Sequence, residues 1–120
     1  MYTLAVDRGD SEVSGLYDPL HPAVLRLVQF ATEAALRLRM PVSVCGEMAS
    51  NPRLTPLLVG LGLRSFSMTA SAVPRVKQAV RSVEIDACAR FARRVMEQSD
   101  PARIEEQIAG FARQSATAAH

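Results

Sequence analysis

Cys45 is the residue of this chain whose surroundings most favour chemistry. It follows a short, β-branched and apolar run that Pro41 opens, and Gly46 comes directly after it. Such a run predicts a short buried strand, and the glycine predicts a tight turn at its end. In α/β proteins the carboxyl ends of strands carry the chemistry, and a thiol there can act as nucleophile, acid or metal ligand. Free cysteine is also among the most buried residue types, so the pattern leaves a plain core role open.

A strand–helix–strand unit is predicted around Cys45. Asn51 and Pro52 predict the start of a helix that ends near Gly60. Residues 65–68 predict a second strand. Because roughly a dozen residues separate the two strands, they should be parallel and joined by a right-handed crossover.

Apolar residues at helical spacing predict helices in the rest of the chain. Helices are predicted over residues 22–40, 74–83, 82–98 and 101–113, and a frayed tail over residues 114–120. His21 or Asp18 can cap the first helix, Ser82 the third, and Asp100 the last. The residues expected to face inward from the first helix are Val24, Leu27, Val28, Ala31, Ala35 and Leu38. Those expected to face inward from the later helices are Leu54, Leu57, Leu58 and Leu61 in the helix that starts at Pro52, Ala87, Cys88, Phe91, Ala92, Val95 and Met96 in the helix over 82–98, and Ile104, Ile108, Phe111 and Ala112 in the last. Residues 3–6 form a further apolar run, which resembles the end of a strand whose beginning is missing.

Composition narrows the class of protein. The chain has 120 residues, enough for one domain, and its 48% apolar content fits a packed core. A formal net charge of +2 and the lack of a basic run with aromatics argue against nucleic-acid binding. No run is long enough to insert in a membrane and the start lacks the layout of a signal peptide. With only Cys45 and Cys88, no disulfide framework is expected, which predicts a cytoplasmic protein in which Cys88 is a core residue.

Several motifs occur in a fixed order along the chain. They include Val-Asp-Arg-Gly around Arg8 and Cys-Gly-Glu at Cys45, and together they cover residues 2–9, 16–19, 22–27, 45–49, 57–63, 66–68 and 73–77. In this order and spacing the chain resembles the C-terminal end of enzyme I of the bacterial phosphoenolpyruvate-dependent phosphotransferase system. A lone Cys-Gly-Glu would be a weak signal, whereas the ordered set is specific.

The resemblance implies a fold. Residues 1–120 would be a partial barrel domain of a PEP-utilising enzyme, comprising the last strands and C-terminal helices of a phosphoenolpyruvate-binding (β/α)8 TIM barrel. This is an α/β fold with two to three short parallel strands and about five helices. Its strands would have unpaired edges, so we expect the isolated chain to aggregate, swap or dimerise. The residues expected to be buried by that association are Val42, Val44, Phe66 and Met68.

The resemblance also implies a reaction. Phosphoenolpyruvate gives its phosphoryl group to a histidine on a separate N-terminal domain, which then phosphorylates a histidine-containing phosphocarrier protein. In the family, the cysteine of Cys-Gly-Glu exchanges a proton with the methylene carbon, and here it is Cys45. The arginine of Val-Asp-Arg-Gly binds substrate phosphate or carboxylate, and here it is Arg8, whose guanidinium fork suits either group. His21 and His120 do not match the phosphorylated histidine.

The metal and the partners follow from the same resemblance. The complete enzyme would use Mg²⁺, with ligands outside this chain, so no metal ligand is assigned here. The complete protein is expected to be a homodimer, and the sugar and nitrogen branches of the system both stay open.

Three functions are compatible with these residues. The first is a C-terminal part of a phosphoenolpyruvate-protein phosphotransferase that is inactive alone. The second is a non-catalytic dimerisation or regulatory module derived from the barrel. The third is a part of a phosphoenolpyruvate synthase or pyruvate phosphate dikinase, which share the cysteine motif but should differ after the Asp-Arg pair.

Overall fold

The computed structural model describes residues 20–118 as a largely helical α/β structure. In chain order its elements are α1 (Pro22–Arg37), β1 (Val44–Cys45), α2 (Gly46–Ser50), α3 (Thr55–Gly60), β2 (Phe66–Ser67), a 3₁₀ turn (Ala70–Ala72), α4 (Val73–Arg81), α5 (Ile85–Met96) and α6 (Pro101–Ala118). The apolar run over residues 3–6, Arg8 and the alternative cap Asp18 lie outside the described residues. Within residues 20–118, no helix is both long and apolar enough to cross a membrane.

The two strands pair as predicted. β1 and β2 are parallel, with Val44 opposite Phe66 and Cys45 opposite Ser67. The amide of Val44 donates to the carbonyl of Ser65 at 3.0 Å, which starts the ladder. Each strand is only two residues long in the described part of the chain. The architecture is therefore compatible with part of the α/β domain that the resemblance implies.

Helix α1 begins as predicted but faces the core differently. The ring nitrogen Nδ1 of His21 accepts a hydrogen bond from the amide of Ala23 at 3.1 Å, which confirms its role as the cap. The expected inner face is wrong in part, because Leu27 and Leu38 are exposed. The buried residues are Leu25 and Thr32. The helix carries apolar residues on more than one side, so spacing alone did not identify the side that packs.

The segment after β1 holds an element that the sequence did not predict. Gly46 opens the short helix α2 instead of a turn. The predicted start of the next helix at Pro52 is also wrong, because residues 52–54 form a turn and α3 begins at Thr55. Pro56 has no amide hydrogen to donate to the carbonyl of residue 52, so the helical ladder cannot begin there. Asn51 still acts as a cap for this turn, because its side-chain Oδ1 accepts a hydrogen bond from the amide of Arg53 at 3.0 Å.

Two further boundaries differ from the prediction. Ser82 ends α4, where its hydroxyl donates to the carbonyl of Ala79 at 2.8 Å, and α5 begins only after Glu84. A serine hydroxyl can satisfy a donor or an acceptor, so its position at a helix junction is ambiguous from sequence. The tail expected to fray continues as α6 to Ala118. The start of α6 is as predicted, with Asp100 accepting from the amide of Ala102 at 3.0 Å.

The core lies between α3, α5 and α6. The predicted inner faces of α3 and α5 are confirmed, and the buried residues there are Leu54, Leu57, Leu58, Leu61, Cys88, Phe91, Ala92 and Val95. From α6, Ile104 and Ile108 complete this core, while Ala112, predicted to face inward, is exposed. Phe111 stacks on Phe91 with ring centroids 4.4 Å apart. Each fully buried side chain of this size contributes about 1.5–3 kcal/mol.

Helices α3 and α5 touch through backbone at Gly60. A Cβ at this position would overlap the carbonyl of Cys88 and lie 2.8 Å from the Cβ of Ala92. Only glycine permits this approach. The contact buries Cys88 fully, as predicted for a core residue.

We expect Gly60→Ala to destabilise the fold by about 1–3 kcal/mol, because the added methyl must push α5 away from α3. Urea unfolding measures the change. Gly110→Ala is the matched control, since its Cβ would meet only the tip of Arg113 at 4.0 Å and alanine favours a helix by about 0.5–1 kcal/mol. Equal stabilities for the two variants would contradict the proposed close contact.

We expect the buried thiol of Cys88 to make the fold less stable at alkaline pH. Burial raises the pKa of its thiol, and the positive charge of Arg64 partly opposes this. The pKa of the Cys88 thiol is therefore higher in the folded than in the unfolded protein, where it is about 8.5. Its contribution to the free energy of unfolding is fully present below the unfolded pKa and is lost as pH rises through the folded pKa. Urea unfolding from pH ~7 to ~10.5 should show a smaller alkaline decline for Cys88→Ala than for wild type. Parallel curves for wild type and Cys88→Ala would contradict this role.

Candidate functional site

Cys45 lies at the carboxyl end of β1, as the sequence predicts. Burial alternates along both strands, with Val44 and Phe66 half-buried and Cys45 and Ser67 exposed. Because successive strand residues point to opposite faces, the two exposed residues lie on the same face. The structure thus brings a thiol and a hydroxyl to one edge of the strand pair.

The Cys45 thiol is not used to hold the fold together. The residue has extended backbone angles (φ −134°, ψ 176°) at the start of α2, and its side chain makes no capping hydrogen bond. It is a free cysteine and exposed, whereas Cys88 is free and buried. The buried interpretation of Cys45 is therefore wrong for these 99 described residues, numbers 20–118, and its sulfur is accessible to a small molecule.

Gly46 sets the direction in which the chain leaves Cys45. Its φ is +76°, in the left-handed region, and a Cβ there would meet nothing within 4 Å. The position therefore requires glycine for backbone conformation and not for space. The left-handed backbone of Gly46 directs the chain straight into α2, where the Ser50 hydroxyl donates to the Gly46 carbonyl at 2.9 Å.

Short polar residues follow β2 at the same edge. After Ser67 and the half-buried Met68, the hydroxyl oxygens of Thr69 and Ser71 lie 3.3 Å apart on the surface. Sequence reasoning assigned no role to Ser67, although the predicted parallel register could have placed it beside Cys45. Glu47, in the first turn of α2, is exposed. The residues that pair with Cys45 or follow the two strands thus offer hydroxyls and one carboxylate.

The residues present do not form a metal site by themselves. Within residues 20–118, no three His, Cys, Asp or Glu side chains come close enough to hold an ion. The donor set near Cys45 consists of one thiol, one carboxylate and hydroxyls, which is poor for Mg²⁺ because that ion prefers several oxygen ligands in octahedral geometry.

Of the other residues singled out in the sequence, His21 has a structural role. His21 serves as the cap of α1, and Arg8 lies outside the described residues. A separate groove of about 540 Å³ lies between the turn before α3, α4 and α6, and Arg53 and Arg75 line it. Cys45 does not line this groove, so the exposed strand edge is the candidate site.

Comparison with known proteins places these features in a family. Residues 1–85 match the family described as "PEP-utilising enzyme, PEP-binding domain". This match covers β1, β2 and Cys45, and it ends at the first residue of α5.

Curated relatives resemble nearly the whole chain. It is 47% identical over 110 residues to a phosphoenolpyruvate-protein phosphotransferase of Cupriavidus necator, covering 92% of this chain and 18% of that protein. A protein of the same name from Haemophilus influenzae is 40% identical, with 92% and 19% covered. A multiphosphoryl transfer protein of Escherichia coli is 38% identical, with 92% and 13% covered. The chain thus spans less than a fifth of the length of these relatives, and by the match over its first 85 residues it belongs to the PEP-utilising enzymes, in their PEP-binding domain family.

Proposed function

We propose that this chain forms the cysteine-bearing part of a phosphoenolpyruvate-protein phosphotransferase of the enzyme I type. The observation that carries the proposal is the position of Cys45: exposed, free and at the carboxyl end of a strand, in a chain of the PEP-binding domain family. The phosphotransferase names of the three relatives support it further. Those names also favour a phosphotransferase over the synthase and dikinase alternatives.

Cys45 acts in the proposed reaction as the proton donor to carbon. When the phosphoryl group leaves phosphoenolpyruvate for a histidine nitrogen, the P–O bond to the enol oxygen breaks and the enolate of pyruvate remains. The Cys45 thiol then gives its proton to the methylene carbon, so that pyruvate forms and the sulfur becomes a thiolate. The exposed position of the sulfur allows solvent to return the proton. General acid catalysis of this kind contributes typically about 10²–10⁴-fold.

The rest of the proposed machinery lies beyond the described residues. Arg8 binds phosphate or carboxylate in this proposal, because a guanidinium offers a planar fork to those oxygens. The Mg²⁺ ligands and the phosphorylated histidine are proposed to lie outside this chain, in other parts of the complete enzyme. The acceptor is a histidine-containing phosphocarrier protein, reached through the N-terminal domain.

We also propose a cytoplasmic, homodimeric protein. Two free cysteines, one of them exposed, fit a reducing compartment. The homodimer in this proposal follows from the family resemblance.

Cys45→Ser in the complete enzyme should keep phosphoenolpyruvate affinity near normal while pyruvate formation falls by roughly 10²–10⁴-fold. Serine keeps the size, but its hydroxyl gives up a proton far less readily than a thiol. Phosphoryl transfer depends on positioning and positive charge, which Cys45 does not supply. Steady-state pyruvate formation and calorimetric titration with phosphoenolpyruvate measure the two quantities side by side.

Cys88→Ser is the matched control for this experiment. Its sulfur is buried between α3 and α5, so the substitution should lower stability and leave turnover of the folded enzyme unchanged. Near-native pyruvate formation by Cys45→Ser would refute the assignment of Cys45 as the proton donor.

The 120 residues alone should show no phosphoryl transfer and at most weak substrate binding. Of the proposed site they supply only Cys45 and Arg8, and two side chains cannot replace the hydration of a trianionic ligand. Calorimetric titration with phosphoenolpyruvate, with and without Mg²⁺, measures the binding. Tight, magnesium-dependent binding to this chain would show that the site is more complete than proposed.

A further inference from the structure

The strand pair presents two side chains on the face that points away from the helices. Val44 and Phe66 are half-buried and pack against the hydrophobic core. Because side chains alternate along a strand, Cys45 and Ser67 point to the opposite face, and both are exposed. They are also direct partners across the parallel pair. The thiol and the hydroxyl are thus neighbours on one open surface.

The hydroxyl of Ser67 takes no part in holding the fold together. The hydroxyls of Ser50 and Ser82 each donate to a nearby backbone carbonyl. The Ser67 hydroxyl, by contrast, has no hydrogen-bond partner among residues 20–118. Its proton is therefore available to an acceptor on a molecule that lies on this face.

We propose that Ser67 is a substrate-binding residue, whose hydroxyl donates a hydrogen bond to the carboxylate of phosphoenolpyruvate while Cys45 faces the methylene carbon. The inference rests on the proposed function, because it places that substrate on the face of the strand pair that bears Cys45. Ser67 joins Cys45 and Arg8 as the residues that this chain supplies, and one neutral hydroxyl leaves substrate binding by the 120 residues alone weak.

The spacing of the two residues fits a three-carbon acid. Neighbouring strands lie about 4.8 Å apart, which sets the separation of Cys45 from Ser67. In phosphoenolpyruvate the carboxylate oxygens are three bonds from the methylene carbon, each bond being about 1.2–1.5 Å long, whereas the enol oxygen is only two bonds away. The carboxylate can therefore reach the hydroxyl on the second strand while the methylene carbon stays beside the sulfur.

A neutral hydroxyl also suits the carboxylate better than it suits the phosphoryl group. The phosphoryl group moves to a histidine in the proposed reaction, and its transfer depends on positioning and positive charge. The carboxylate keeps its place and its charge from substrate to product. A hydrogen bond to it is therefore equally strong before and during the reaction, which strengthens binding without speeding the chemical step.

Ser67→Ala in the complete enzyme should raise KM for phosphoenolpyruvate, and the dissociation constant measured by calorimetry, by about tenfold or more, because a hydrogen bond to a charged group is lost. The value of kcat should change by less than about threefold, since the lost interaction is the same in the ground state and the transition state. Steady-state kinetics at limiting and saturating substrate separate the two effects.

Two further variants control for side-chain size and position. Ser67→Thr keeps the hydroxyl on a side chain that suits a strand, so its KM should lie near the wild-type value. Ser65→Ala removes an exposed hydroxyl two residues earlier, before β2 begins and away from the partner of Cys45, and should leave KM unchanged. Circular dichroism confirms that each variant is folded.

Three results would overturn the proposal. The first is an unchanged KM and dissociation constant in Ser67→Ala. The second is a lower kcat with an unchanged KM, which would place Ser67 in the chemical step and not in binding. The third is a Ser67→Thr variant that binds as weakly as Ser67→Ala, because the hydroxyl would then not be the group that matters.

The outcome for Ser67 is separate from the outcome for Cys45. If Cys45→Ser keeps wild-type turnover while Ser67→Ala weakens binding, the assignment of the proton donor is wrong and the role of Ser67 stands. If Cys45→Ser loses turnover while Ser67→Ala binds substrate normally, the role of Ser67 alone fails.

Discussion

The position of every other element depends on the contact of α3 with α5 at Gly60. There the Cα of one helix lies against the carbonyl of Cys88 in the other, a distance that any side chain would forbid. Helix α3 is the crossover between β1 and β2, so fixing α3 against α5 fixes where the two strands meet. Helix α6 then closes the core through Phe111, which stacks on Phe91. The edge that bears Cys45 is thus positioned by a contact that involves no residue of the site.

Much of this arrangement could be predicted from spacing. The parallel strands, the inner faces of α3 and α5 and the cap Asp100 are as predicted, because connection length, helical spacing and an Asp-Pro pair each favour one structure. Of the two residues that could cap α1, the structure shows His21 in that role. The wrong predictions occur where a residue is compatible with two local structures. Ser82 can end one helix or begin the next, Pro56 delays a helix that Asn51 already caps, and α1 offers apolar residues to both the core and the exterior. Periodicity shows that a helix has an apolar side, but only packing selects which side is buried.

In the candidate site, too, some features could be predicted from local patterns and others depend on how the elements pack. The strand pattern predicted that Cys45 would lie at a carboxyl end, and its exposure there separates it from the buried Cys88. The position of Ser67 beside Cys45 depends on the parallel register of the two strands. Register is a tertiary property, and the sequence analysis assigned no role to Ser67. Arg8 lies outside the described residues, and its proposed role in binding phosphate or carboxylate comes from the family resemblance.

Exposure of a thiol and exposure of an apolar helix have different physical costs. Cys45 is small and can stay in contact with water at little cost, which suits a group that must give and regain a proton. The side chains of Leu27, Phe30 and Leu38 are large, and each keeps half or more of its surface in water, at about 25 cal/mol for every Å² left uncovered. Scattered apolar residues on a surface need no explanation, but Leu27, Phe30 and Leu38 lie on one side of α1 and together form an exposed apolar patch. The edge with Cys45 therefore fits small-molecule chemistry, whereas the outer face of α1 fits association with another surface.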